Sequence, residues 1–289
     1  MFFDSHVHLQ EYMTPDQIVR YTHELYDRGV KGILTVSYDR RSSLEAAKIT
    51  EIAEPSHKAG VMSLQEAAVF CACGIHPEHA EEKIPEELIS DEASFKKSFC
   101  AIGEIGLDYR DGMPPRELQQ SRFEEQLALC RDLKLPAVIH SVRACDDTLR
   151  TMKRFKGLSF VMHGFSYSHE AAREFVKLGG NIGIGTGILN KRARRLPETV
   201  KEILAEYLML ETDIPFCRQY KNTHCKTDSL SYIPFDPAET AYQSGNTEAS
   251  AHADLLTGIA NAISSIKHIP VIRVAEVTAE NAERFLIGD

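Results

Sequence analysis

Residues 135–166 read LPAVIHSVRACDDTLRTMKRFKGLSFVMHGFS. An apolar run, LPAVIHSV (135–142), gives way to a helix-permissive stretch near 144–155 and then to a second apolar run, LSFVMHGFS (158–166). Strand, helix and strand within about thirty residues predict a right-handed βαβ unit with parallel strands. Each strand also carries a histidine toward its end, His140 and His163. An apolar residue there would be easier to bury.

The same cycle extends in both directions. Upstream lie MFFDSHVHL at the start of the chain, GVKGILTVSY (29–38), FCACGIHP (70–77) and AIGEIGLDY (101–109); downstream lie GNIGIGTGIL (180–189) and YLMLETDIPF (207–216). Helices are expected between them: from Thr14, through SSLEAAKITEIAEPSHKAG, near 86–98, and from about 115 to 133 and 169 to 178. Thr14 is placed to cap the first, with Pro15 at its opening position, Gln17 closing a capping box and Gly29 ending it. Eight strands with seven helices between them predict a closed (β/α)8 TIM barrel in one domain over 1–289. A doubly wound open sheet is the competitor, but no Gly-x-Gly-x-x-Gly follows the first strand. The glycines of GIGTGIL (183–189) fall inside a strand and suit crowded packing. A polar segment, 217–245, reads as a long loop after strand eight, followed by extra C-terminal helices over roughly 248–267 and, opened by Thr278, 279–286.

Bulk properties narrow the function. The net charge of −9 argues against a broad electropositive surface, although bound cations could still present positive charge to a nucleic acid. Seven cysteines, an odd number and mostly within apolar runs, suit reduced core thiols and a cytoplasmic location. No secretory leader and no run of ~18 apolar residues is evident, so neither export nor a membrane span is expected.

Polar residues gather at strand ends. His6 and His8 close strand one, His76 strand three, His140 strand five, His163 strand six and Asp213 strand eight, while Glu104 lies in strand four. Barrel enzymes build their sites from the C-terminal ends of strands. Any one of these residues alone suits a hydrogen-bonded structural role, but the coincidence of His6, His8, Glu104, His140, His163 and Asp213 on one rim does not. His23, His57, His79, His169, His224, His252 and His268 fall in helices or the loop and are expected at the surface. Four imidazoles and two carboxylates exceed what one open cation site needs. They suit two divalent cations, with His6, His8 and Asp213 on one, His140 and His163 on the other, and Glu104 bridging.

The stretches DSHVHL, CGIHPEHA, AIGEIGLDYR, LPAVIHS, VMHGFS and LETDIP, with VAEVTAENAERFL near the C-terminus, resemble the TatD family of metal-dependent deoxyribonucleases. That resemblance spans Asp4 to Leu286 and implies an amidohydrolase-related barrel that hydrolyses phosphodiesters with two divalent cations (Mg, Mn or Zn). It implies the same ligand set: His6, His8, Glu104, His140, His163 and Asp213. The chain departs from the family pattern where Val142 precedes Arg143, and in the long loop from Cys217. The expected substrate is DNA or a nucleotide phosphodiester. Asp213 and Glu104 are the expected catalytic groups; His76, Arg143 and Lys191, the last from the basic KRARR (191–195), are the expected substrate contacts. A small ester, lactone or amide is the alternative substrate, though amidohydrolases with paired metals often bridge with a modified Lys on strand four, where this chain has Glu104.

Overall fold

The computed structural model describes residues 1–52, 67–214 and 247–287. Eight strands run in chain order around one parallel sheet: β1 (Phe2–Val7), β2 (Val30–Val36), β3 (Ala68–Cys73), β4 (Ala101–Asp108), β5 (Ala137–Val142), β6 (Phe160–Met162), β7 (Gly180–Ile184) and β8 (Leu208–Leu210). The first and last meet at a parallel bridge between Val7 and Ile214. Two backbone bonds reinforce it, His8 N to Ile214 O at 2.8 Å and Asp213 N to His6 O at 2.9 Å. The sheet thus closes into the (β/α)8 TIM barrel that the alternation predicts. Between the strands run α1 (Pro15–Asp27), α2 (Arg40–Ile52), α3 (Glu86–Ile89), α4 (Glu92–Ser98), α5 (Arg116–Leu133), α6 (Cys145–Arg154), α7 (His169–Lys177) and α8 (Arg195–Glu202).

Local chemistry sets these boundaries. Thr14 and Gln17 form the reciprocal capping box at the start of α1, and Gly29 takes a φ of +84° just beyond its end. The helix expected near 86–98 is two short ones, because the Asp91 carboxylate accepts from Ala93 N and starts α4 afresh. The expected start of the final helix at Thr278 is corrected. That helix runs Val271–Ile287 and opens after Pro270, whose carbonyl accepts from Arg273 N and Val274 N. The Thr278 hydroxyl instead donates to the Val274 carbonyl inside the helix. The 217–245 loop lies outside the described residues. Among those that are described, no single helix is long and apolar enough to cross a membrane.

Two apolar clusters reveal which way each strand residue points. Ile33, Cys71, Ile139, Met162 and Leu210 belong to one cluster, packed with helix residues such as Phe123 and Phe175. Their neighbours Leu34, Phe70, Val138, Val161 and Met209 belong to the other, together with Phe3 and, from the last helix, Ala282 and Phe285. This is the period-two alternation of a filled barrel, with the second cluster as its interior. Cys71, Cys73, Cys100 and Cys130 are buried free thiols, as expected of core cysteines.

Two breaks in the alternation shape the site. In β4 both Ile102 and Ile105 face the helices, with a register shift between them; in β1 Phe3 faces inward but Val7 outward, with shifts on the way. A slip of one residue exchanges the two faces of a strand. These slips turn Glu104 and Asp108 in β4, and His6 and His8 at β1, toward the barrel axis. Gly106 sits beside the first slip with φ +145°, and a Cβ there would lie 1.9 Å from the His140 carbonyl oxygen. Gly106→Ala should therefore lower the free energy of unfolding by at least about 1–3 kcal/mol, the cost of such a backbone alone. Urea midpoints of wild type and variant check it.

Candidate metal centre

The C-terminal ends of the strands bring six expected residues together. His6 and Glu104 lie within β1 and β4 and His140 within β5; His8 and His163 come just after β1 and β6, and Asp213 three residues after β8. Glu104 sits in the middle. Its Oε2 is 3.5 Å from His6 Nε2 and 3.9 Å from His8 Nε2, while its Oε1 is 2.7 Å from His140 Nδ1 and 3.7 Å from His163 Nε2. One carboxylate oxygen faces each pair of imidazoles. Asp213 spans the same gap from the other side, with Oδ1 3.3 Å from His8 Nε2 and Oδ2 3.8 Å from His163 Nε2. The ligand atoms of His6, Glu104 and His163 lie within 4.8 Å of one another, as do those of His6, His8 and Asp213.

The remaining ring nitrogens explain which atoms face inward. His8 Nδ1 is 2.7 Å from the Val36 carbonyl, His140 Nε2 is 3.2 Å from Asp108 Oδ2, and His163 Nδ1 is 3.2 Å from Glu211 Oε2. Each outer partner accepts only, so the outer nitrogen keeps its proton and the inner nitrogen is the one that yields its own to a cation. That is the tautomer a metal ligand needs. The buried His6 Nδ1 has no hydrogen-bond partner among the described residues, and His163 Nδ1 meets Glu211 as an ion pair without an aligned hydrogen bond. The donor set, four imidazoles that each turn a nitrogen toward at least one of two carboxylates, fits divalent cations.

A third grouping, His76 with Asp108 and His140, also lies within 4.8 Å. It does not suit a cation. The Arg110 guanidinium already grips Asp108, Nε to Oδ2 at 2.8 Å and Nη2 to Oδ2 at 2.5 Å, and His140 turns its protonated nitrogen there. His76 has a different part. Its Nδ1 accepts from Glu78 N at 3.1 Å, which leaves the proton on Nε2, 4.0 Å from Glu104 Oε1. Burial and the neighbouring His140 push its pKa down to about 3. His76 is thus a neutral donor aimed into the site.

The carboxylates dominate the other protonation states. Burial disfavours charge on His8, yet Asp213, with Glu11 and Glu104, raises it to about 9. Burial likewise opposes charge on His163, and Glu211, Glu104 and Asp213 raise it to about 10. Glu104 is lifted by burial but held well below the usual carboxylate range by His163, His140 and His6.

Of the expected substrate contacts, His76 reaches the centre. Arg143, with φ +53°, and Lys191 are exposed on the loops after β5 and β7, on the same rim. Sequence reasoning missed Asp108 and Glu211, although their spacing, four residues after Glu104 and two before Asp213, placed them on the inward face. His252, expected at the surface, is corrected: it is fully buried. Its signal was the helical stripe it shares with Ala249, Leu256, Ile259 and Ile263.

The sequence profile of the TatD-related DNases matches residues 3–287, which includes every residue of this cluster. The chain belongs to that family. It is 27% identical to the uncharacterized metal-dependent hydrolase YabD of Bacillus subtilis, over 98% of both proteins. It is likewise 27% identical to the 3'-5' ssDNA/RNA exonuclease TatD of Pantoea ananatis, over 66% of this chain and 70% of that one. The crystal structure of YJJV, the TatD homologue of Escherichia coli, superposes with a TM-score of 0.73 at 24% identity, covering 99% of this TatD-family chain and 97% of that one. The family is one of metal-dependent hydrolases, some of whose members are named nucleases.

In chelator-treated protein, NMR titration of the imidazoles should find His8 and His163 protonated until about pH 9 and 10, and His76 neutral down to about pH 3. An ordinary midpoint near 6.5 for His8 or His163 would contradict the carboxylate arrangement.

Proposed function

We propose that this TatD-family protein is a two-metal phosphodiester hydrolase, of the deoxyribonuclease type, acting on DNA or nucleotide phosphodiesters. The observation that carries the reading is Glu104, whose two oxygens face separate pairs of imidazoles. His6, His8 and Asp213 would hold one divalent cation, His140 and His163 the other, and Glu104 both. Mg, Mn and Zn are all compatible with mixed imidazole and carboxylate ligation. When bound, such cations lower the pKa of water and stabilise charge on the attacked phosphoryl group.

The chain's own residues supply the rest. Asp213 is the most exposed carboxylate of the cluster, its side chain 29% accessible, and its neighbours His163 and His8 keep it ionised against burial. It is placed to orient the attacking water and accept its proton. His76 Nε2–H donates to a phosphate oxygen and carries no proton to lose at neutral pH beyond that one. Arg143 and Lys191 grip flanking phosphates from the rim. The name of the Pantoea ananatis relative supports nucleic acid as the substrate class, and the cysteine usage supports a cytoplasmic setting.

With single-stranded DNA and added Mg²⁺ or Mn²⁺, Glu104→Ala should abolish turnover, and Asp213→Asn should lower kcat by about 10²–10⁴-fold. Unchanged turnover in either would remove that residue from the mechanism. A parallel panel of lactones, esters and N-acyl amino acids tests the substrate class, because hydrolysis there without DNA cleavage would overturn the phosphodiester reading. A cation must also displace the protons on His8 and His163. Affinity should therefore rise with pH while those groups are protonated, and level off above about 10. Calorimetry in buffers of different ionisation enthalpy measures the released protons directly.

A further inference from the structure

We propose that His252, far along the chain from the metal centre, is a positioning residue for it, acting through Asp4; this rests on the metal centre proposed above. Asp4 is completely buried, and its carboxylate takes four hydrogen bonds. Oδ1 accepts from the backbone N–H groups of His6 and Thr212, both at 3.1 Å, and Oδ2 accepts from the Thr212 hydroxyl at 2.5 Å and from His252 Nε2 at 2.7 Å. The backbone donors belong to His6 itself and to the residue before Asp213.

Their location gives these bonds their consequence. Every other neighbouring pair of strands is held by a ladder, but among the described residues β1 and the chain after β8 touch through one bridge, Val7 with Ile214, and a few flanking bonds, one of them from Ser5 Oγ to Leu210 O. The Asp4 carboxylate stands in for the missing rungs. His6, His8 and Asp213 all hang from this seam. Ligand atoms must be held to within about 0.5 Å for tight ligation, so a loose seam would misplace three of them together.

His252 fixes the carboxylate. A carboxylate only accepts, so Nε2 carries a ring proton, and Nδ1 pairs with the Tyr21 hydroxyl, 2.9 Å away in α1. Both ring nitrogens are thereby used, so His252 is not itself available as a ligand. The helix Glu248–Lys267 and α1 together clamp Asp4 from outside the strands. Removing the ring would strand a buried carboxylate with one oxygen short of a donor, free to turn away from His6 and Thr212.

The test uses the full chain and Mn²⁺ as the probe, with isothermal titration calorimetry of wild type, His252→Leu, His252→Gln and Tyr21→Phe, and thermal unfolding of each after chelation. Folded His252→Leu should bind Mn²⁺ about 10-fold or more weakly, the usual cost of losing an outer partner. His252→Gln, which keeps an N–H for Asp4, should recover most of that, and Tyr21→Phe should fall between. A purely structural histidine would lower the unfolding temperature and leave the affinity of the folded protein unchanged; that result overturns the proposal. Should His252→Leu fail to fold, Tyr21→Phe decides, with unchanged Mn²⁺ affinity again overturning it. Wild-type protein that takes up no Mn²⁺ would overturn the metal centre itself, and the positioning role with it.

Discussion

A single buried carboxylate organises this molecule. Glu104 lies near the barrel axis among four imidazoles, and its two oxygens separate them into pairs. Burying such a charge is costly unless positive or hydrogen-bonding partners surround it. The histidines supply those partners, and the strand ends supply the histidines. The barrel tolerates the arrangement because the slip in β4 brings Glu104 inward while leaving Ile102 and Ile105 both packed toward the helices. Gly106 makes room for that backbone against the His140 carbonyl.

Around this centre the protein spends a second set of groups on orientation. Val36 O, Asp108 and Glu211 each take the outer nitrogen of one imidazole, and so decide which nitrogen looks inward. Arg110 in turn holds Asp108, and Gly164 N donates to Glu211 Oε1 at 2.6 Å. The excess negative charge is consistent with a site built for cations. Four carboxylates, Glu104, Asp108, Glu211 and Asp213, crowd a small region whose only fixed full positive charge among these contacts is the Arg110 guanidinium. Raised His8 and His163 pKa values are the protein's own answer to that imbalance.

The fold was readable early because its signal is periodic. Apolar runs of strand length alternate with amphipathic stretches, and both Thr14 with Gln17 and the positive φ of Gly29 fall where the sequence places them. Errors came where a local signal had two meanings. Thr278 resembles a helix cap, but its hydroxyl bonds one turn back inside a helix that Pro270 had already opened. His252 resembles a polar helix residue facing water, but the helix lies with that residue against Asp4 and Tyr21. For Thr278 the deciding residue is the distant Pro270, and for His252 the stripe shared with Ala249 and Leu256 signals burial but not the partners it is buried against.

The sequence by itself determined the eightfold strand and helix cycle, the rim on which His6, His8, His140, His163 and Asp213 would meet, and the membership of Glu104 in strand four. Those follow from hydrophobic period and chain order, which are local properties. Only the tertiary structure decided which face of β4 Glu104 occupies, since a one-residue slip in pairing reverses it and depends on the neighbouring strands. It alone joined Asp4 to His252 across 248 residues, because closing a barrel brings the two ends of the chain to one seam that no local pattern can encode.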